Sequence, residues 1–190
     1  MGFTGAPSAG KDTSADHLIK EHDFVRLAFA DPIRKAALTL NPWVDGDCRL
    51  SHVVNKYGWD IAKNKFPEVR RLLQILGTEV GRDLYGSHVW IDKLFQSIDS
   101  LAPRQRIAIT DVRFEDEATA LRKRGAFIIR VNRNVDSRDE VMAHRSEIES
   151  AGISPNYVLP NHGTIDELHR RLDRLVPRLA NRGETFERLT

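Results

Sequence analysis

Gly5-Ala6-Pro7-Ser8-Ala9-Gly10-Lys11-Asp12-Thr13 decides the fold of this 190-residue chain. The glycines and the lysine have the G-x-x-x-x-G-K spacing of a phosphate-binding P-loop. Glycine at these points lets the backbone curl so that its N–H groups converge on phosphate oxygens, with a helix N-terminus behind them. Lys11 then reaches the β- and γ-phosphates, and Gly5, Ser8, Ala9, Gly10, Asp12 and Thr13 complete the cradle. Asp12 stands where the motif expects Ser or Thr, so a carboxylate replaces the hydroxyl that normally holds Mg²⁺. Magnesium takes hard oxygen ligands and keeps several waters, so Asp12 can hold it directly or through water, with Thr13 beside it. Pro7 removes one N–H donor from the loop. A glycine-rich turn that binds nothing is the plain alternative.

Outward from this loop, apolar strand-like runs alternate with helical patterns. Met1 to Thr4 leads into the loop. Phe24 to Phe29, Arg106 to Thr110, Ala126 to Val131 and Tyr157 to Leu159 read as further strands, and helices are expected near 11–22, 32–40, 67–85, 88–101, 115–124 and 164–180. That alternation predicts an α/β layer fold with a largely parallel sheet. In such sheets the ligand site lies at the carboxyl ends of the strands, around Thr4/Gly5, Ala30/Asp31, Thr110/Asp111 and Asn132/Arg133. Only four residues precede Gly5, short for a buried strand. Either the strand is cut short or translation starts upstream. Residues 41–66 break the alternation with Pro42, Trp43, Gly46, Gly58 and Trp59; they read as an insertion over the crevice or as an irregular surface loop with aromatic anchors.

Composition narrows the setting. With 41% hydrophobic and 29% charged residues the chain reads as a soluble globular domain. It has no apolar run of membrane-spanning length and no secretory leader pattern. The single cysteine, Cys48, has no internal partner, which suits a reducing cytoplasm. A net charge of +2 and the absence of a basic stripe argue against a nucleic-acid partner. The histidines show no zinc-ligand spacing with cysteines.

A P-loop specifies a nucleotide phosphate but no reaction, so a second binding place is needed. On a helix Arg71, Gln74, Thr78 and Arg82 share a face, and a polar face with arginines suits a phosphate plus a base; a solvated amphipathic face is the alternative. Trp90 is a core residue or packs on a nucleobase. Asp111 ends an apolar strand, the position from which an acid meets magnesium water, and Arg113 follows where a substrate phosphate would lie. Glu117, one turn on, pairs with Arg113 or accepts from substrate; Asp111 or Asp116 as a helix cap is the structural reading. Arg133 and Arg138 lie after the fourth strand, on a flap that closes on the triphosphate or on a solvated charged helix. Asn161 and the glycine of Asn161-His162-Gly163-Thr164 could lie beside an adenine, with Thr164 as an N-cap.

Taken in order, these blocks resemble the deoxynucleoside monophosphate kinases of tailed bacteriophages. The matching pieces are Gly10-Lys11-Asp12-Thr13, Phe29-Ala30-Asp31-Pro32, Leu73-Gln74 with Gly77-Thr78-Glu79 and Gly81-Arg82, Trp90, Asp111-Val112-Arg113-Phe114 with Glu117-Ala118, and His144 with Ser146-Glu147. The family carries GKD-T, so Asp12 is a family trait. The resemblance implies one three-layer P-loop NTPase domain over 1–190, nucleoside-monophosphate-kinase-like, with a parallel five-stranded sheet. It also implies a helical acceptor-binding insertion over 41–100 and a flap over 132–152. ATP and Mg²⁺ are the implied co-substrate and metal, and a dNMP is the acceptor. Lys11, Arg113, Arg133 and Arg138 are expected in catalysis. Phe29, Asp31, Arg71, Gln74, Thr78, Arg82, Asp83, Trp90, Asp111, Arg113 and Glu117 are expected on the dNMP, Asn161 on ATP, and Asp12, Thr13 and Asp111 on the metal. The implied setting is the cytoplasm, that of the host for a phage protein, with small-molecule substrates and room for a homodimer. The rival readings are a P-loop kinase of another small acceptor such as dephospho-coenzyme A, and a non-catalytic nucleotide-binding module.

Overall fold

Three residues, Gly2–Thr4, form β1, yet all three are buried and the strand lies at the centre of a sheet. The computed structural model describes residues 1–133 and 145–187, apart from the side chains of 146, 147 and 180–187. The chain divides into two compact units, one of Met1–Ala28 with the chain from Leu101 onward, the other of Phe29–Ser100.

The first unit holds β1, α1 (Lys11–His22), β2 (Phe24–Leu27), β5 (Arg106–Ile109), α6 (Glu115–Lys123), β6 (Ile128–Asn132), α7 (Arg145–Gly152), β7 (Tyr157–Pro160) and α8 (Ile165–Glu187). Its five strands are all parallel, in the order β2-β5-β1-β6-β7. The brevity of β1 is offset by partners on both sides. Ile109 N–H donates to Met1 O at 2.9 Å, Val112 N–H to Phe3 O at 3.0 Å, and Gly2 N–H to Phe127 O at 2.8 Å. One sheet face sends Phe3, Ile129 and Val131 into a core with Ala15 and Leu18 of α1 and Leu168, Leu172 and Leu175 of α8. On the other face Gly2 lies close to Ile128, Val112 and Leu121 of α6, and the Arg130 guanidinium donates to Ala151 O of α7 at 3.0 Å. Helices therefore cover both faces, the expected three layers. At the outer seam of α1 and α8, His22 and His17 donate to Asp173 and hold its carboxyl below the usual carboxylate range.

The helices α1 and α6 leave neighbouring strands, β1 and β5, on opposite faces. Such a divergence opens a crevice at the carboxyl ends of the two strands, where the loops after them meet.

The second unit is built of α2 (Ala30–Leu40), a hairpin of β3 (Trp43–Asp45) and β4 (Cys48–Arg49), α3 (Leu50–Lys65), α4 (Pro67–Gln74), a π-helical segment (Ile75–Leu84) and α5 (Val89–Asp99). Residues 41–66 thus hold a hairpin and a helix and are no irregular surface loop. Leu50, Val53 and Val54 at helical spacing, with Ala62, enter a core with Ala37, Val44 and Val69. Their periodicity is broken at Gly58, where φ 73° and ψ 166° interrupt α3 and change the phase of the apolar stripe. The expected second strand stops at Leu27, and Asp31 and Pro32 instead open α2; proline is tolerated there because a first-turn N–H has no intrahelical partner.

The expected helix over 67–85 is present but changes winding. In the π segment each N–H reaches back five residues, a form that is rare and found mostly as single turns. Trp90 braces it: the indole Nε1–H donates to Gly77 O at 2.7 Å, and the ring lies so near Gly81 that an added Cβ would stand 2.3 Å from Nε1. Gly81→Ala is expected to destabilise the protein by about 1–3 kcal/mol, as overpacking does, read as a lower urea midpoint with unchanged slope.

Candidate active site

The loop after β1 has the P-loop curl. Gly5 and Gly10 have φ of 131° and 102°, and a Cβ on either would stand 2.5 Å from Val131 O or from the Asn161 amide nitrogen respectively. Neither position admits a side chain. Asn161, from the end of β7, is buried and donates from Nδ2 to Ala9 O at 2.8 Å. Ser14, fully buried one turn into α1, donates from Oγ to Gly10 O at 2.8 Å. These two side chains fix the loop from both sides. Asn161 is thereby placed as a brace of the loop, a role its polar amide and its position at a strand end did not reveal in sequence.

Lys11 Nζ lies 2.9 Å from Gly5 O and 2.7 Å from Ala6 O, so the ammonium folds back over the mouth of the loop. Lys11, Ser8, Gly10, Asp12, Thr13, Arg133 and Asn161 line one cavity of about 270 Å³ with Gly163, Ile165 and Leu168. Arg133 comes from the end of β6, so the lysine and this arginine, 122 positions apart in sequence, face the same space. Arg138 lies outside the described residues, as do His144 and most of the segment joining β6 to α7.

Across from the loop, the β1–β5 register sets Gly2 opposite Ile109 and so carries Asp111 level with Thr4. Asp111 is half-buried and Arg113 is exposed. Glu117 is 3% exposed, and its carboxylate accepts from Arg113 N–H at 2.9 Å and Phe114 N–H at 3.2 Å. An N3 glutamate reaching back to the N-cap in this way holds the loop before a helix. Glu117 therefore fixes the backbone that presents Arg113. Asp12 and Thr13, in the first turn of α1, line the loop cavity, and Asp111 follows β5, the strand paired with β1; between them they offer two carboxylates and a hydroxyl. That hard-oxygen set fits Mg²⁺.

In the second unit Phe29 is buried, and Asp31 in the first turn of α2 lies 3.4 Å from Arg34. Asp31, Arg34, Lys35, Leu38, Thr39 and Trp59 line a cavity of about 540 Å³, with the Arg34 guanidinium 5.7 Å from the Trp59 ring centre. Arg34, Lys35 and Trp59 line this cavity beside Asp31 and were not among the expected site residues. The i+3 and i+4 spacing of Arg34 and Lys35 after Asp31 was the available signal; Trp59 comes from α3, which the broken periodicity concealed. The expected face of Arg71, Gln74, Thr78 and Arg82 divides. Arg71 is exposed and pairs with Glu68 at 3.3 Å, Gln74 is half-buried, and Thr78 and Arg82 are buried. The change from α to π winding between them is the reason. Arg82 Nη1 donates to Ser87 O at 3.1 Å, while Asp83 is exposed. Trp90 is half-buried against Gly77 and Gly81.

A family model for deoxynucleotide monophosphate kinase matches residues 44–172, about two thirds of the chain. The chain belongs to the deoxynucleotide monophosphate kinase family. This bears out the resemblance read from the order of its motifs. The matched span begins beyond the P-loop and takes in Arg71 to Arg82, Trp90, Asp111 to Glu117 and Asn161. A protein of Acanthamoeba polyphaga mimivirus that carries the same family name is 29% identical over 187 residues, 90% of this chain and 93% of the relative. The deoxynucleoside-5'-monophosphate kinase of Escherichia phage T5 is 43% identical over 58 residues, 30% of this chain and 23% of the phage protein. Among solved structures, TT1252 from Thermus thermophilus aligns with a TM-score of 0.44 and 15% identity over 94% of this chain and 96% of that one.

For this kinase, Asn161→Ala should weaken ATP binding about tenfold. The buried Ala9 carbonyl loses its partner, at a cost of about 1–3 kcal/mol, and tenfold corresponds to about 1.4 kcal/mol. Titration calorimetry with a non-hydrolysable ATP analogue measures the change.

Proposed function

We propose that the protein transfers the γ-phosphoryl group of ATP to the 5′-phosphate of a deoxynucleoside monophosphate, giving ADP and the dNDP. The observation that carries this reading is the shared cavity of Lys11 and Arg133 at a braced P-loop, in a chain of this family. An oxygen of the acceptor phosphate forms the new bond to the γ-phosphorus as the bond to the β–γ bridging oxygen breaks. The acceptor is already an anion, so no strong base is needed; positioning and charge neutralisation carry the rate.

Gly5, Ser8, Ala9, Gly10 and Lys11 hold the donor phosphates, and Asn161 keeps the loop in shape. Lys11 leaves its two carbonyl partners for the phosphates. Asp12, Thr13 and Asp111 would hold Mg²⁺, which when bound would supply neutralisation of phosphate charge. Arg133, which lines the cavity, neutralises the charge that develops on the transferring group, and Arg138, outside the described residues, is assigned the same task. Arg113, on the backbone that Glu117 holds, takes the acceptor phosphate. Residues 29–100 form the acceptor-binding unit, in which Phe29, Asp31, Arg71, Gln74, Thr78, Arg82, Asp83 and Trp90 receive or support the nucleoside. This work is set in the cytoplasm, that of the host for a viral protein, where it supplies deoxynucleotides for DNA synthesis. Among the described residues no helix is long and apolar enough to cross a membrane.

Lys11→Ala and Arg113→Ala should each lower kcat by about 100-fold or more, the scale for removing one donor to a transition-state oxygen. Both side chains lie at the surface of the site, so circular dichroism spectra should be unchanged. Turnover like that of the wild type in either variant overturns the assignment. A panel of dNMPs, NMPs and dephospho-coenzyme A with labelled ATP checks the acceptor. Phosphorylation of dephospho-coenzyme A and of no dNMP reverses the reading, and nucleotide binding without turnover on any acceptor replaces it with a binding module.

A further inference from the structure

His17 and His22 of α1 and Asp173 of α8 converge on one point, away from the nucleotide-binding loop. Both histidine Nε2 atoms lie 2.7 Å from the same oxygen, Oδ1 of Asp173. The three ligand atoms are all within 4.8 Å of one another. The two imidazoles meet edge to face, with centres 5.8 Å apart and planes at 71°, so they approach the point from different directions. His17 is held from behind by His169, stacked at 4.0 Å with planes 10° apart. The His17 and His22 side chains are 9% and 19% exposed, whereas Asp173 is 46% exposed. The cluster is therefore walled by imidazole and open on the carboxylate side.

A simple ion pair needs one imidazole on one carboxylate. Here two Nε2 atoms from a single helix share one oxygen, and a third ring fixes the orientation of the first. Two imidazoles and a carboxylate with an open side are the donor set of a three-ligand Zn²⁺ site, with water completing the coordination. Bond lengths of about 2.0–2.2 Å to nitrogen and oxygen put tetrahedral ligand atoms about 3.3–3.5 Å apart. The two nitrogen–oxygen contacts would then open by roughly 0.6–0.8 Å, within reach of a rotamer change at a half-exposed aspartate.

We propose that His17, His22 and Asp173 form a Zn²⁺-binding site that clamps the C-terminal helix to the helix of the nucleotide-binding loop. His17 and His22 lie in the later half of α1, whose first residue is Lys11, so this ion is separate from the Mg²⁺ assigned to the loop. Its role is mechanical. The chain from Leu168 to Leu175 already packs its apolar face on Ala15 and Leu18, and the metal would tie the polar edge of the same seam.

The full chain, stripped with chelator and titrated with Zn²⁺ in a calorimeter, should bind one ion that His22→Ala and Asp173→Asn each weaken by about 100-fold. Co²⁺ in place of Zn²⁺ should give the visible absorption of a tetrahedral site. At a hundredfold excess over Kd, Zn²⁺ should raise Tm by about 5–10 °C in the wild type and not in the variants. Turnover of His22→Ala with Mg²⁺ and ATP should be that of the wild type. Equal Zn²⁺ affinity in wild type and both variants overturns the site. Imidazole nitrogen spectra of the wild type decide without any variant: the Nε2 signals of His17 and His22 must shift on adding Zn²⁺, and their failure to shift also overturns it.

Discussion

The approach of β6 and β7 to the loop after β1 is the constraint on which the rest depends. Val131 O leaves no room for a side chain at Gly5, and the Asn161 amide leaves none at Gly10. The same amide then bonds Ala9 O, so the contact that forbids a Cβ also fixes the curl. An oriented set of loop amides is useful only if it need not reorganise when charge arrives. Here the cost of orientation is met by strand pairing: β1 is bonded on both edges, and β6 and β7 carry Val131 and Asn161 in register beside it.

The same economy holds on the facing strand. Glu117 is buried but its carboxylate is satisfied by two backbone amides, which makes burial of a charge tolerable. The same contact holds the backbone of the exposed Arg113 beside it. In residues 29–100 the equivalent device is the Trp90 indole, whose N–H occupies a carbonyl of the π segment. Such segments recur at functional sites in proteins, and this one carries Thr78 and Arg82, two residues expected on the acceptor.

Much of this was legible in the chain. Gly5, Gly10 and Lys11 announced the loop because the backbone they specify has few substitutes. The five strands were legible because each is a short apolar run bounded by turn residues. Arg133 joined Lys11 because both end or follow a strand of one parallel sheet. Other features were hidden for identifiable reasons. The phase slip at Gly58 concealed α3 and with it Trp59. The π winding leaves the local sequence helical, so Arg71 and Arg82 read as one face although they differ in burial. Asn161 acts on a backbone carbonyl, and nothing in residue spacing marks that contact; Glu117 was noticed at its helical spacing from Arg113, but which backbone amides it binds was not.

The pairing of β2 with β5 has a consequence for the time course of folding. Phe24 lies opposite Arg106, and the Gln105 side chain reaches Asp23 O across 82 positions. Residues 29–100 lie wholly inside that interval, and their contacts are mostly between neighbouring elements. Native pairing of β2 must therefore wait until this stretch has left the ribosome and its ends have come together. Long-range parallel pairing of that kind is slow compared with local helix packing. The segment that interrupts the sheet is thus placed to condense first, and by condensing it shortens the loop that the sheet must close.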